Sequence, residues 1–150
     1  MRVLLFSIVL LSLPTLVPGQ AEQTDAEATV RQVWKHLSQG AYTSTDVKEL
    51  GWLGDSSAVA LTKILGGKIL DTNDIESVLL TIKLSYADPR IVKTDSDRQP
   101  RTTLLLLHYL NLATNDTRLK EKIGNTEEFV SEQYLRSMRG ARSPNTDPTR

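Results

Sequence analysis

The chain has 150 residues and contains no cysteine. Disulfides, thiolate zinc sites, iron–sulfur clusters and cysteine nucleophiles are therefore excluded. Aromatic residues make up only 5% of the chain, which disfavours the stacking platforms that bind sugars or single-stranded nucleic acid. No charge is in excess, because Lys plus Arg and Asp plus Glu each number 18. Without a basic field to attract phosphates, we expect no nucleic-acid partner.

An apolar segment opens the chain. Arg2 gives a short positive start, and residues 3–17 are mostly apolar with a break at Pro14. Small residues precede the bond after Ala21, so residues 1–21 are predicted to be a signal peptide, and the mature chain to be secreted or periplasmic. A retained anchor is the alternative, although this run is shorter than the ~20 apolar residues of a membrane span. After cleavage we expect no stable membrane anchor.

The sequence after the predicted cleavage site indicates an all-α domain over residues 22–139, followed by a disordered basic tail over residues 140–150. Apolar residues recur at helical spacing between capping signals, as in Val30, Val33 and Leu37. Residues 95–100 are polar and rich in turn formers, which predicts a surface loop. On these signals we expect helices over residues 24–39, 46–53, 55–65, 73–86, 89–93, 100–112, 117–123 and 125–138, with Gly40, Gly66 and Gly124 among the stop signals.

The most apolar segment covers residues 102–112 and includes four consecutive leucines, Leu104 to Leu107. A buried strand is an alternative interpretation of such a run. Leucine favours helix, however, and the run is long for a strand. We therefore expect residues 102–112 to form the central helix.

Three turns share one pattern, in which an apolar helix is followed by a capping acid and then by apolar residues. The acids are Asp55, Asp88 and Asp116, which lie 33 and 28 residues apart, in the range for helix-pair repeats. Each acid is expected to cap its own turn and stabilise it by about 1 kcal/mol. Arg90 and Arg118 follow two of these acids and are expected to pair with neighbouring acids along the stack.

The first of these turns reads Leu-Gly-Trp-Leu-Gly-Asp-Ser-Ser-Ala-Val over residues 50–59, and the second reads Asp-Pro-Arg-Ile-Val over residues 88–92. They resemble the turn of short HEAT-like repeats, Leu-Gly-x-x-Gly-Asp-Pro-x-Ala-Val followed by leucines. The resemblance covers residues 46–123, and the copy at Asp116 is degenerate. It implies a short right-handed α-solenoid whose second helices line a shallow binding groove. An irregular bundle of antiparallel helix pairs, with capping acids recurring by chance, is the alternative.

Two classes of function remain. The first is an exported, noncatalytic interaction module that binds another protein, with its binding face on the helices that these turns connect. The second is a small hydrolase that uses His36 or His108 with a nearby acid and a serine or threonine. The Gly-x-Ser-x-Gly spacing of a nucleophile elbow is absent, and both histidines are expected to be surface or partly buried residues. We therefore expect no catalytic residue and no enzyme activity.

No cofactor or metal is expected either. The glycine pair before Lys68 lacks the spacing of a phosphate-binding loop. Asp95 and Asp97 resemble the start of a calcium loop, but the glycine and the distal glutamate of that motif are missing.

Overall fold

The structure is a computed structural model that describes residues 18–66, 68–88, 90–92 and 94–141. Most of the predicted signal peptide and of the predicted tail, residues 1–17 and 142–150, lies outside the described residues. The described residues are all-α, with six helices of eight residues or more, one single-turn helix and no strand. The all-α prediction is therefore confirmed. The helices are α1 (Pro18–Ser38), α2 (Ser44–Gly51), α3 (Asp55–Leu65), α4 (Thr72–Ser85), α5 (Asp95–Arg98), α6 (Arg101–Ala113) and α7 (Thr117–Ala141).

The long helices form three successive pairs, α1 with α2, α3 with α4, and α6 with α7. The first members of the pairs pack side by side in the order α1, α3, α6, and the second members pack in the order α2, α4, α7. All six contribute to one hydrophobic core, which includes Val30, Val33, Leu50, Leu61, Ile82, Leu107, Leu110, Ile123 and Val130. Each pair buries apolar surface against the next, as in stacked helical-pair folds. The likeness to HEAT-like repeats in particular stays a prediction.

Capping boxes set two of the helix starts. Thr43 accepts a hydrogen bond from the Asp46 amide at 3.3 Å, and the Asp46 carboxylate accepts one from the Thr43 amide at 2.7 Å. Asp71 and Asp74 form the same reciprocal pair at the start of α4. These starts lie within two residues of the predicted ones, because the acid occupies the third helical position rather than the cap. The predicted start of the first helix, Thr24, is wrong, since α1 begins at Pro18.

The two helices predicted over residues 117–123 and 125–138 are one continuous helix, α7. Gly124 lies in its interior at an exposed position, so the predicted stop is wrong. A helical glycine costs about 1 kcal/mol relative to alanine. The buried side chains of Leu119, Ile123 and Val130 pack on both sides of it, and their burial outweighs that cost. The same helix runs to Ala141 and so includes the first two residues of the predicted disordered tail.

The helix predicted over residues 89–93 is also wrong, because residues 90–92 form a turn and a bend. Asp88 does not cap a helix there: its carboxylate accepts from the Arg90 amide at 3.1 Å and pairs with the Arg90 guanidinium at 2.8 Å. The expected pairing of Arg90 is thus found within its own turn. A helical turn forms instead at α5, where a loop was predicted, since Thr94 accepts from the Asp97 amide at 3.1 Å.

The central helices are α3, which contacts α1, α4, α5 and α6, and α4, which contacts α1, α2, α3 and α7. The prediction that residues 102–112, in α6, form the central helix is therefore wrong. Successive residues of a helix are rotated by about 100°, so four consecutive leucines cannot face one core. Leu106 and Leu107 are buried, whereas Leu105 and Leu112 are each 71% exposed. One side of α6 therefore remains open to solvent.

The turn between α2 and α3 requires glycine at position 54. Gly54 has a φ of +50°, and a Cβ placed on it would lie 2.2 Å from the Asp97 carbonyl oxygen. The close approach is held by the Ser56 hydroxyl, which donates to the Asp97 carboxylate at 2.6 Å. α5 consequently docks on this turn through backbone as well as side-chain atoms. Gly51 permits a second close approach, to the Ile91 side chain.

Gly54→Ala is expected to destabilise the protein strongly for two reasons. The added methyl group would clash with the Asp97 carbonyl oxygen, and alanine is strained at a positive φ. Gly40→Ala is the matched control, since Gly40 has a φ of +67° with no atom within 4 Å of its would-be Cβ. We expect the Gly54 variant to lose roughly 2 kcal/mol more than the control in denaturant unfolding. Equal losses would show that α5 does not sit against the turn.

Candidate functional site

Asp55 is a buried carboxylate whose hydrogen bonds reach a helix remote in sequence. It is the first residue of α3, yet its two carboxylate oxygens accept hydrogen bonds from the start of α6. Its Oδ2 accepts from the Thr102 amide at 2.9 Å, and its Oδ1 accepts from the Thr103 amide at 2.7 Å and from the Thr103 hydroxyl at 2.8 Å. Asp55 is only 8% exposed. One buried carboxylate thus caps a helix that begins 46 residues further along the chain.

A buried tyrosine completes this cluster. The Tyr86 hydroxyl lies 3.1 Å from the Thr103 hydroxyl and 3.5 Å from Asp55 Oδ1. Thr103 has one hydroxyl proton, which it donates to Asp55, so it accepts from Tyr86. Burial raises the pKa of Tyr86, and the nearby Asp55 carboxylate raises it further. Tyr86 therefore remains a protonated donor at neutral pH, and the cluster is a structural hydrogen-bond network.

The predicted capping roles of the three acids have three different outcomes. Asp55 was expected to cap its own turn, but α3 begins after Gly54 without a side-chain cap, and the carboxylate serves α6. The α6 cap position is Pro100, whose side chain has no acceptor. Asp116 is confirmed as a cap, because it accepts from the Arg118 and Leu119 amides at 2.8 and 3.3 Å. Asp88 closes a turn with Arg90.

His36 contacts an acid, as the hydrolase alternative requires. Its Nδ1 lies 3.0 and 3.1 Å from the two carboxylate oxygens of Asp46. The Thr43 hydroxyl also donates to this carboxylate, at 2.9 Å from Asp46 Oδ2. A catalytic triad needs the hydroxyl on the far nitrogen of the histidine, with the acid behind it. Here the Thr43 hydroxyl and His36 both bond to the Asp46 carboxylate. These contacts connect the end of α1 to the start of α2.

His108 is exposed on α6, whereas a partly buried position was expected. No acid or hydroxyl of the described residues hydrogen-bonds to it, and it lies on a different pair of helices from His36. Among the described residues, no group of three or more His, Asp or Glu side chains is placed to hold a metal ion.

The described residues form an apolar groove, here named the α6 groove, with a volume of about 820 Å³. It runs beside α6 against the end of α3, the α3–α4 loop and the start of α4. Buried side chains form its floor, namely Leu65, Ile75, Leu106 and Leu110. Its rim is formed by Ile69, Leu105 and Tyr109, which are 100%, 71% and 65% exposed. This volume lies within the 300–1,000 Å³ typical of ligand pockets.

An apolar stripe extends the groove along α6. Leu105, Tyr109 and Leu112 follow one another at i, i+4 and i+7, so they share one side of the helix. Contiguous exposed apolar patches of this kind mark interaction surfaces more often than scattered single residues do. The sequence signal for it was the continuous apolar run itself, which is wider than one core can cover. The prediction that residues 102–112 form the central helix implies burial of this run, so it does not indicate a groove.

Comparisons of the chain with protein families, with curated proteins and with solved structures found no match. Assignment of a function therefore depends on the geometry described above. No helix of the described residues combines the length and the apolar character needed to cross a membrane.

Asp55→Ala is expected to cost roughly 3 kcal/mol of unfolding free energy, because it leaves the part-buried Thr102 amide and the buried Thr103 donors without an acceptor. Asp116→Ala is the matched control, since it removes the same kind of cap from the more exposed start of α7. The control should lose only about 1 kcal/mol. Equal losses in urea denaturation would contradict the long-range role of Asp55.

Asp46 is expected to make stability depend on acid pH. The hydrogen bond from the Thr43 amide holds the pKa of Asp46 below its ordinary value of 3.8, and His36 lowers it further. A carboxyl with a lower pKa in the folded than in the unfolded state stabilises the fold at higher pH. The stabilisation by Asp46 is fully present above pH 3.8, and it is lost as the pH falls through the lower pKa that Asp46 has in the folded protein.

Denaturation midpoints measured from about pH 6 down to about pH 2.5 test this dependence. The loss of stability below about pH 4 should be smaller in Asp46→Asn than in the unmodified protein. Asp25→Asn, at an exposed position of α1, should leave the profile unchanged. Parallel profiles for the protein and Asp46→Asn would rule out the proposed contribution.

Proposed function

We propose that this chain is an exported, noncatalytic interaction module that binds another protein through the α6 groove. The observation that carries the proposal is the exposed apolar surface formed by Ile69, Leu105, Tyr109 and Leu112. Burying apolar surface contributes about 25 cal/mol per Å². A partner that covers these four side chains would therefore gain binding free energy from surface that the folded chain leaves in water.

Binding without turnover is the mode that the site chemistry favours. The floor and rim of the groove are apolar, and Lys68 is the only charged residue among the described residues that line it. No carboxylate, histidine or activated hydroxyl lines the groove to supply acid–base or nucleophilic catalysis. His36 and Asp46 lie on α1 and α2, which do not line the groove. We therefore prefer an interaction module to a hydrolase.

The proposal that the protein acts outside the cytoplasm rests on residues 1–21, with their apolar run and small residues before the predicted cleavage site. The proposal of a repeat-type scaffold rests on the turns at Asp55 and Asp88, which resemble those of HEAT-like repeats. The groove lies on α3, which follows the turn at Asp55, and on α6, which follows the turn at Asp88 after the single-turn helix α5. Stacked helical pairs commonly present such concave faces to partners.

Position-specific photo-crosslinking tests the proposed function. A photoreactive phenylalanine analogue replaces Tyr109 on the groove rim, and in a second protein it replaces Tyr42, which is also exposed at 49% but lies between α1 and α2. Each protein is incubated with the extracytoplasmic fraction of the cells that produce it. The analogue at position 109 should crosslink to a protein, and excess unmodified chain should compete with that product.

The crosslink at position 109 should also disappear when Leu105→Glu is introduced, because a charge on the rim opposes burial. The probe at position 42 should give no saturable product. Absence of a competable protein product at position 109, or equal products at both positions, would contradict binding through the α6 groove.

A further inference from the structure

Resting on the proposed function, we propose that the partner contributes an amphipathic helix of about three turns, whose carboxylate meets Lys68. The proposal depends on the length of the groove, on the exposure of its rim and on its single charge.

The groove has the length and surface pattern that a helix fits. It follows α6 from Thr102 to Ala113, which at 1.5 Å per residue is roughly 16 Å, or three helical turns. Leu105 and Tyr109, four residues apart, form a ridge along the same helix, and Leu112 lies on the same side. Such i±4 ridges pack into the grooves between side chains of a second helix, and binding of an amphipathic helix in a groove is a common mode of peptide recognition.

The exposure of the rim favours a helix over a small apolar molecule. Ligand pockets enclose most of a small molecule's surface, typically 70–90% of it. Here Ile69 is fully exposed, and Leu105 and Tyr109 are more than half exposed. A single acyl chain lying on the floor would leave these rim side chains in water. A helix is about 10 Å wide with its side chains, so it can contact floor and rim together.

The charge of the groove favours an acidic residue beside the apolar face of the partner helix. Of the described residues that line it, only Lys68 is charged, and α6 contains no acidic residue. No ion pair of the described residues includes Lys68. The nearest acid in sequence, Asp71, accepts from the Asp74 amide as the cap of α4. A partner carboxylate beside the apolar stripe would therefore find a cation at the rim, which favours an acidic helix over a basic one.

The probe is a display library of 14-residue amphipathic helical peptides with leucines at i, i+3, i+4 and i+7. Flanking positions carry Glu, Gln or Lys. Peptides are selected on the full mature chain and counter-selected on Leu105→Glu, after circular dichroism has shown that this variant is folded. We expect groove-dependent peptides with Glu at one flank. The best peptide should bind roughly three- to fivefold more weakly when that Glu becomes Gln.

Charge reversal identifies the contact. Lys68→Glu should weaken the Glu peptide about tenfold and should strengthen its Lys counterpart. Lys48→Glu is the matched control, because Lys48 is exposed on α2, which does not line the groove, and it should leave both affinities unchanged. Failure to select any groove-dependent peptide, or equal affinity for the protein and Lys68→Glu, would overturn the inference.

A fluorescent single-chain fatty acid and anionic vesicles serve as competing probes. Saturable, Leu105-dependent binding of either, without peptide binding, would overturn the proposed helix and assign the groove to lipid. The photo-crosslink from position 109 distinguishes failure of the proposed helical partner from failure of protein binding through the groove. If a protein still crosslinks there while the peptides fail, the helical partner is wrong and protein binding stands. If both fail, protein binding itself is wrong.

Discussion

The Asp55 carboxylate holds the start of α3 against the start of α6, and the stacking of the third helix pair on the second depends on this contact. It binds two backbone amides and one hydroxyl of α6 within 3 Å, and lies where the positive ends of two helix dipoles meet. α3 lacks a side-chain cap, and the α6 cap is a proline. A single buried charge on α3 thus satisfies α6 donors that the α6 cap residue cannot satisfy.

The same contact determines which side of α6 faces solvent. Because Asp55 binds both the amide and the hydroxyl of Thr103, the rotation of α6 about its axis is fixed. Leu106, Leu107 and Leu110 then point to the core, and Leu105 and Tyr109 form the groove rim. The docking of α5 on Gly54 reinforces the turn that presents Asp55. The groove is in this sense a consequence of how the helix pairs are joined.

Local signals in the sequence predicted what is set locally. Helical periodicity and capping acids gave an all-α fold and located most helices, because a cap such as Asp116 acts within three residues of itself. These local signals gave wrong predictions where tertiary packing determines the structure. Gly124 is held inside α7 by its buried neighbours, and Asp55 serves a helix remote in sequence. The groove was missed because the apolar width of α6 does not reveal whether a second layer of protein covers it.

Native-state hydrogen exchange of two pairs of amides tests the role of Asp55 most directly. The Thr102 and Thr103 amides bond to the buried Asp55, and the Arg118 and Leu119 amides bond to Asp116 at an exposed helix start. If Asp55 joins the helix pairs, the first two amides should exchange only with a free energy close to that of global unfolding, and the second two through local fraying. Exchange of Thr102 and Thr103 as fast as that of Arg118 and Leu119 would contradict the account.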